Sequence, residues 1–348
     1  MARLEKIAPE DQAIAAPPVA EWRGVSVEQF GEEIATRNEP AVLRGAVAHW
    51  PAVAAGKQSA DATAAYLSQF DRGAEVRAFI APSEVEGRYF YNPAVDGFNF
   101  GVAKTTLSQL VATLAAMTAT EHRSIYMGST PTAAILPGFA DANPLELVAG
   151  KPTEPRIWIG NDSRVAAHFD ESENIACVTS GRRRFTLFPP EQVANLYVGP
   201  IDKTVAGRPT SMVDLANPDF DRFPRFREAL KHAVVADLEP GDAIYIPSLW
   251  WHAVEAEGAL NVLVNYWWQD GPEDAGSPLQ ALGHGLLTIS HLPPEKRAAW
   301  RAMFDHYVFR ADGDPAAHIP EAGRGILGRS TPQLRRVIKQ FLLRSLNE

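Results

Sequence analysis

The sequence predicts a mainly β domain, a sandwich or barrel, with helices before and after its strands. Three observations predict it. From about Arg156, short runs of Val, Ile, Phe and Trp alternate with turn residues. The runs succeed one another at short spacing, as they do in sandwiches and barrels. After about Gly271 the pattern becomes amphipathic and helical.

The first twenty residues, rich in Ala and Pro, read as an extended arm. "SVEQFGEEIATRN" comes next, with Ser26 as N-cap and Val27, Phe30 and Ile34 at helical spacing. "EPAVLRGAVAHWPAV" reads as a strand running into a turn at Trp50–Pro51. "DATAAYLSQF" is helical, and "AEVRAFIAP" and "GRYFYN" are strands. "TLSQLVATLAAM" carries Leu107, Leu110, Val111 and Leu114 at helical period, and "SIYMGS" is a short strand. The β region then comprises "RIWIGN", "NIACVTSG", "RFTLFPP", "HAVVADLEPGD", "AIYIPSLWWHAVE" and "LNVLVNYWWQ". An insert from Gln192 to Lys231 interrupts it, and "NPDFDRFPRF" within the insert reads as an ordered loop. Three helices close the series; Pro293–Pro294 starts the second and Thr331–Pro332 the third. Leu334, Ile338, Phe341, Leu342 and Leu346 form an apolar stripe on the last, suited to packing on the barrel or to pairing in a dimer. The expected division is 1–38 arm and helix, 39–272 β domain, 273–348 helical region.

Bulk properties narrow the function. The 348 residues are 46% hydrophobic and 22% charged, which fits a globular chain of one large domain with additions, or of two. A formal net charge of −9 argues against nucleic acid or an anionic membrane as partner, because both need positive surface. The single cysteine, Cys177, cannot form an internal disulfide and reads as a small buried hydrophobe. "MARLEKIAPEDQAIAAPPVAEW" has no continuous apolar core behind a basic start, and no run approaches the ~20 apolar residues that span a bilayer. The expected location is cytoplasmic.

The chemistry concentrates in two stretches. In "AHFDESEN", His168 and Asp170 at i and i+2 of a strand share a face, with Phe169 turned away. In "LEPGDAIYIPSLWWHAVE", Pro240–Gly241 fits the centre of a type II turn; a strand comes after it, then His252 behind two tryptophans. Either stretch alone is weak, since His-x-Asp pairs are common on surfaces and a lone histidine is usually core. Together, two imidazoles and one carboxylate on separate strands make the facial triad of non-haem Fe(II). Three coordination positions stay open, for a bidentate cosubstrate and O₂. A strand beginning near Arg183 puts Arg183, Phe185 and Leu187 on one face. An inward guanidinium needs an anion, and the far carboxylate of a metal-bound dicarboxylate would supply it. Arg182 and Arg184 are expected to be solvated on an edge strand.

These residues, with "SGRRRFTLFPPEQ", "LYVGP" and "NVLVNYWW", resemble the cupin-like, JmjC-related 2-oxoglutarate oxygenases, and within them the asparaginyl hydroxylase of hypoxia-inducible factor. The resemblance covers about Pro40 to Gln269. It implies a double-stranded β-helix (jelly-roll) with Fe(II) on His168, Asp170 and His252, and 2-oxoglutarate and O₂ as cosubstrates. Arg183 stands where the family has a lysine for the far carboxylate, and Tyr126 matches a family tyrosine. Val165 stands where the family has a threonine. Asn174 and Asn265 match asparagines beside the metal, and Trp267 matches an aromatic near the pocket. Ser172 replaces the glutamine that binds the relative's peptide, so that substrate is not carried over. Tyr91, Trp251 and Trp267 are expected to wall the substrate pocket. Asp162, Glu171 and Glu173 are expected at the entrance or simply in solvent. The C-terminal helices resemble the family's dimerisation region, which implies a homodimer. A protein side chain, a peptide or a small metabolite remains open as substrate. So do two other classes: a different metal-dependent cupin enzyme, and a regulatory cupin without turnover.

Overall fold

The computed structural model describes residues 14, 16–117, 123–205 and 207–346. The chain divides into two compact units, one ending at Trp268 and one running from Gln269. Most of the expected arm lies outside the described residues. The segment after the arm is built into the first unit rather than standing apart. Ala20–Arg23 (β1) pairs in parallel with Ala41–Arg44 (β2), and Phe30 and Ile34 are buried in the main core. Ser26 caps the first helical turn, accepting from Gln29 N at 3.0 Å.

The β framework hangs on two long strands, Glu173–Phe188 (β9) and Trp251–Trp268 (β12). The sequence suggests two separate strands in each stretch; the structure joins each pair into one bent strand. Their antiparallel pairing runs from Trp251↔Phe188 to Trp268↔Glu173, with register shifts only between Glu257 and Leu263. Gly181, at φ +73°, marks the bend in β9. The first half of β9 lies between Ala243–Ile246 (β11) and the second half of β12. β2 and β1 continue from β11, while Arg156–Gly160 (β7), Ser124–Pro131 (β6), Glu75–Ala81 (β3) and Gly101–Thr106 (β5) continue from β12. The second half of β9 lies between Val234–Leu238 (β10) and the first half of β12, beyond which come Ser163–His168 (β8) and Arg88–Tyr89 (β4). The result is the expected jelly-roll with helices. β1 and β5 have no signal in the sequence: their runs are too short and polar to show a period.

Two cores arise from the alternation of side chains along shared strands. Ala176, Val178, Ile244, Ile246 and Leu263 from the larger face meet Phe185, Leu187, Ala236, Leu238 and Val254 from the smaller, inside the barrel. Their neighbours Ile175, Cys177, Tyr245, Val264, Tyr266 and Trp268 point the other way, under the helices Pro51–Gln58, Ala60–Ser68 and Leu107–Ala116. Cys177 is fully buried there, as expected of a small hydrophobe. The last of these helices starts with a capping box, Thr106 with Gln109, and buries Leu107, Leu110, Val111 and Leu114. The Pro240–Gly241 turn forms as expected: Asp242 N reaches Glu239 O at 3.0 Å, with Gly241 at φ +107°.

The second unit holds helices Pro278–Thr288, Pro294–Tyr307 and Pro332–Leu346, each opening on a proline as the sequence predicts. None of their described residues is buried, and Leu286, Trp300, Met303, Phe341 and Leu342 are exposed.

Gly56 tests how tightly helix and barrel meet. A Cβ there would fall 1.8 Å from the Thr179 carbonyl oxygen, which is backbone and cannot swing aside. Alanine favours a helix interior by ~1 kcal/mol, but overpacking costs roughly 1–3 kcal/mol. Gly56→Ala is therefore expected to lower the urea midpoint despite its better helix propensity.

Candidate active site

His168 ends β8, and His252, near the start of β12, is its antiparallel partner. The two ring centroids lie 4.4 Å apart. Each ring turns its Nδ1 back on its own chain, His168 to Ala166 O at 2.9 Å and His252 to Trp250 O at 3.0 Å. A ring nitrogen against a carbonyl must carry the proton, so whenever such a ring is neutral its Nε2 is the bare lone pair. Burial, reinforced by His252, holds the pKa of His168 well below the usual histidine value, keeping it neutral. Asp170 lies past the end of β8, in irregular backbone rather than on the strand, and its carbonyl accepts from Leu249 N at 2.8 Å. Its Oδ2 stands 3.8 Å from His252 Nε2. The three residues are gathered but not drawn into a closed cage; among the described residues no group of three or more His, Cys, Asp or Glu forms a ready cation site. Phe169 does turn away, packing edge-on against Trp251 at 4.9 Å.

Register places the remaining candidates. His252 pairs with Leu187, and Ala256 with Arg183, so Arg183 lies on the same inner face as His252. Four residues separate the two positions, roughly 13 Å along the strand. Arg183 is partly buried and donates through Nε to Asn261 Oδ1 at 2.9 Å. No carboxylate pairs with it among the described residues, and burial lowers its pKa to about 10, which leaves it a cation at neutral pH. Asn261 pairs with Gly160, and Gly160 with Tyr126, so Tyr126 joins the same end of the barrel. Its ring stacks on Phe79 and lies parallel to Trp158. Nearer the histidines, Asn265 Nδ2 donates to Asn174 Oδ1 at 2.7 Å. Trp267 lies edge-on to Trp158, with Arg156 over its ring at 6.0 Å. Three buried polar atoms in this lining have no hydrogen-bond partner among the described residues: Trp158 Nε1, Trp267 Nε1 and Asn265 Oδ1. Native interiors rarely leave such groups unpaired unless something binds them.

A family model for the cupin-like domain matches residues 27–274. The chain belongs to the cupin-like family. It is similar to the lysine-specific demethylase JMJ31 of Arabidopsis thaliana, 35% identical over 134 residues, which is 38% of this chain and 23% of that protein. It is similar to HSPB1-associated protein 1 of Homo sapiens, 37% identical over 116 residues, 33% of this chain and again 23% of the other. These two matches span under a quarter of the relatives' own length. Against tRNA wybutosine-synthesizing protein 5 of Mus musculus the identity is 26%, but over 318 residues, 80% of this chain and 91% of that protein. The expected kinship with JmjC-related oxygenases holds.

Elsewhere the cupin-like domain departs from expectation. Trp251 does not line the pocket. As the neighbour of His252 on a strand it must face the opposite side, and it packs with Phe188, Leu196 and Phe226 beneath the insert. Tyr91 is buried beside Phe90 and Ala166, its hydroxyl donating to Lys203 O at 2.5 Å, which ties it to the insert. The three acidic residues are not simply solvated. Asp162 accepts from Gly258 N at 2.6 Å, Glu173 from Ser248 N at 3.2 Å and from the Tyr245 hydroxyl. Glu171 is almost fully enclosed and pairs with Arg208 at 3.0 Å. Arg208 arrives on the insert, which is bridged to the site by Thr210↔His168 and by Ser211 N on Ala167 O at 2.7 Å. No sequence period announces Arg208, because the insert has none. Asn261 and Asn265 do carry a signal: both are polar positions inside an apolar strand.

Arg182 and Arg184 face outward but not on an edge, since β9 lies between β10 and β12. They pair with Glu257 at 3.2 Å and Asp237 at 2.9 Å. Arg164, Glu255, Arg184 and Asp237 form one cross-strand row there, flooring a cleft of about 1010 Å³. The row is on the face away from His252; Arg183 also lines the cleft, and neither His168 nor His252 does.

Asn174→Leu would strand the buried Asn265 amide. Leaving such a donor unmet costs ~1–3 kcal/mol, and a matching loss is expected in the free energy of urea unfolding.

Proposed function

We propose that this protein is an Fe(II)- and 2-oxoglutarate-dependent oxygenase that hydroxylates a C–H bond of its substrate. One observation carries the reading: two imidazoles with bare Nε2 atoms converge with a carboxylate at one end of a barrel whose other end holds an uncompensated guanidinium. The donor set fits a divalent ion, with two neutral nitrogens and one anion. Fe(II) would be held by His168, Asp170 and His252, and when bound it supplies the activation of O₂. Arg183 and Tyr126 would take the far carboxylate of 2-oxoglutarate. Asn174, Asn265 and the two indole N–H groups would meet polar atoms of cosubstrate or substrate beside the metal. Trp267 would flank the substrate, and the insert would exclude water from the histidines. A third histidine, common in other metal-dependent cupins, does not join these two among the described residues, which favours this reading over theirs.

The relatives widen the choice of substrate. One is named for lysine demethylation. Another, aligned over most of its length, is named for tRNA wybutosine synthesis. A tRNA nucleoside therefore joins a protein side chain as a candidate, although the net charge of −9 argues against extended contact with nucleic acid. Protein and tRNA fractions treated with enzyme, Fe(II), 2-oxoglutarate and labelled O₂ should gain one labelled oxygen or release formaldehyde. Neither product, with 2-oxoglutarate left unconsumed, would overturn the reading.

We also propose that the exposed apolar residues of helix Pro332–Leu346 pair two copies into a homodimer. No helix among the described residues is long and apolar enough to cross a membrane, so a bilayer-spanning role for this stripe has no support.

Two outcomes are expected. Asp170→Ala should weaken Mn(II) or Fe(II) binding by calorimetry by more than the ~10–100-fold that loss of a ligand's outer-shell partner costs, with an unchanged unfolding midpoint; parental metal affinity would refute the triad. Leu342→Glu should halve the mass measured by light scattering.

A further inference from the structure

We propose that Asn261 is the positioning residue of the diacid site, fixing the guanidinium of Arg183 so that only its terminal fork is offered to the cosubstrate. The inference rests on the diacid role proposed for Arg183. It adds the residue that makes an arginine serviceable there, in a chain where Val165 offers no hydroxyl to help.

Asn261 is fully buried. Its Nδ2 donates to Glu257 O at 2.7 Å and to Arg182 O at 3.2 Å, and its Oδ1 accepts from Arg183 Nε at 2.9 Å. The two carbonyls can only accept, so they fix which end of the amide is which. A flipped amide would set N–H against N–H at Arg183. The carboxamide thus holds the guanidinium without neutralising it, which a carboxylate at 261 would do. With Nε engaged, the Nη1–Nη2 edge is the bidentate face left for a carboxylate. A rotamer-rich side chain is ordered before any ligand arrives, which lowers the entropic cost of binding. The chain makes room for this amide at Gly181: a Cβ there would lie 2.2 Å from Asn261 Nδ2, and φ is +73°.

A double-mutant cycle tests the assignment. Mn(II)-loaded protein is titrated with 2-oxoglutarate by calorimetry, and Mn(II) affinity is measured separately. Asn261→Ala should weaken 2-oxoglutarate about tenfold, as the loss of a hydrogen bond to a charged group does, and leave Mn(II) binding unchanged. Arg183→Ala should weaken it by on the order of a hundredfold, as the loss of a buried charge partner does. In the Arg183→Ala background, Asn261→Ala should add nothing. A full tenfold effect in that background, or none in the parent, would overturn the positioning role while leaving the diacid role of Arg183 standing. Parental affinity in Arg183→Ala would instead remove the diacid role and this inference with it. Should Asn261→Ala not fold, the near-isosteric Asn261→Asp carries the test: its carboxylate should neutralise Arg183 and cost as much as Arg183→Ala, and retained affinity would refute the proposal.

Discussion

The whole site depends on one hydrogen-bonded ribbon, the pairing of Glu173–Phe188 with Trp251–Trp268. Both strands bend, so the same ribbon serves both faces of the barrel. Side-chain alternation then sorts residues without further instruction: His252, Val254, Phe185, Leu187 and Arg183 go inward, and Trp251, Glu255, Arg184 and Thr186 go outward. A slip of one residue would exchange the two sets. The apolar members prevent it, because Phe185 and Leu187 are buried at 2% exposure or less and cannot be turned to water cheaply.

Polar groups inside the barrel divide into those satisfied by the protein and those left over. Asn261 is wholly satisfied, and the Asn174–Asn265 pair partly so. The indole N–H groups of Trp158 and Trp267 and the Asn265 oxygen are not. Satisfied groups lie where they orient something else; unsatisfied ones cluster where we propose that ligands sit. Outward charges behave differently. They pair across strands beside solvent, where such pairs add little stability, ~0–1 kcal/mol each.

Much of this is legible in the sequence, for identifiable reasons. Helical periods, proline starts and the Pro240–Gly241 turn are local signals, and the structure obeys them. The joining of "NIACVTSG" to "RFTLFPP" is not legible, because a glycine between two strand-like runs reads equally as a turn or a bend. Strand alternation puts Asp170 on the right side for an incomplete reason: the residue lies beyond the strand, and its backbone contact with Leu249 is non-local. Trp251 misleads because its proximity in sequence to His252 suggests proximity to the site, whereas adjacent strand residues point apart. Glu171 and Arg208 depend on where a 40-residue insert folds back, which no short-range pattern encodes.

The ribbon also acts as a measuring rod. The interval between the backbone positions of His252 and Arg183 is set by a count of backbone repeats, ~3.3 Å each, and no loop can stretch it, while Asn261 holds the guanidinium at the far end. Loops around the mouth can diverge and admit new molecules while the length of whatever bridges those two groups stays the same. The barrel separates what must be constant from what is free to vary, and does so with peptide geometry alone.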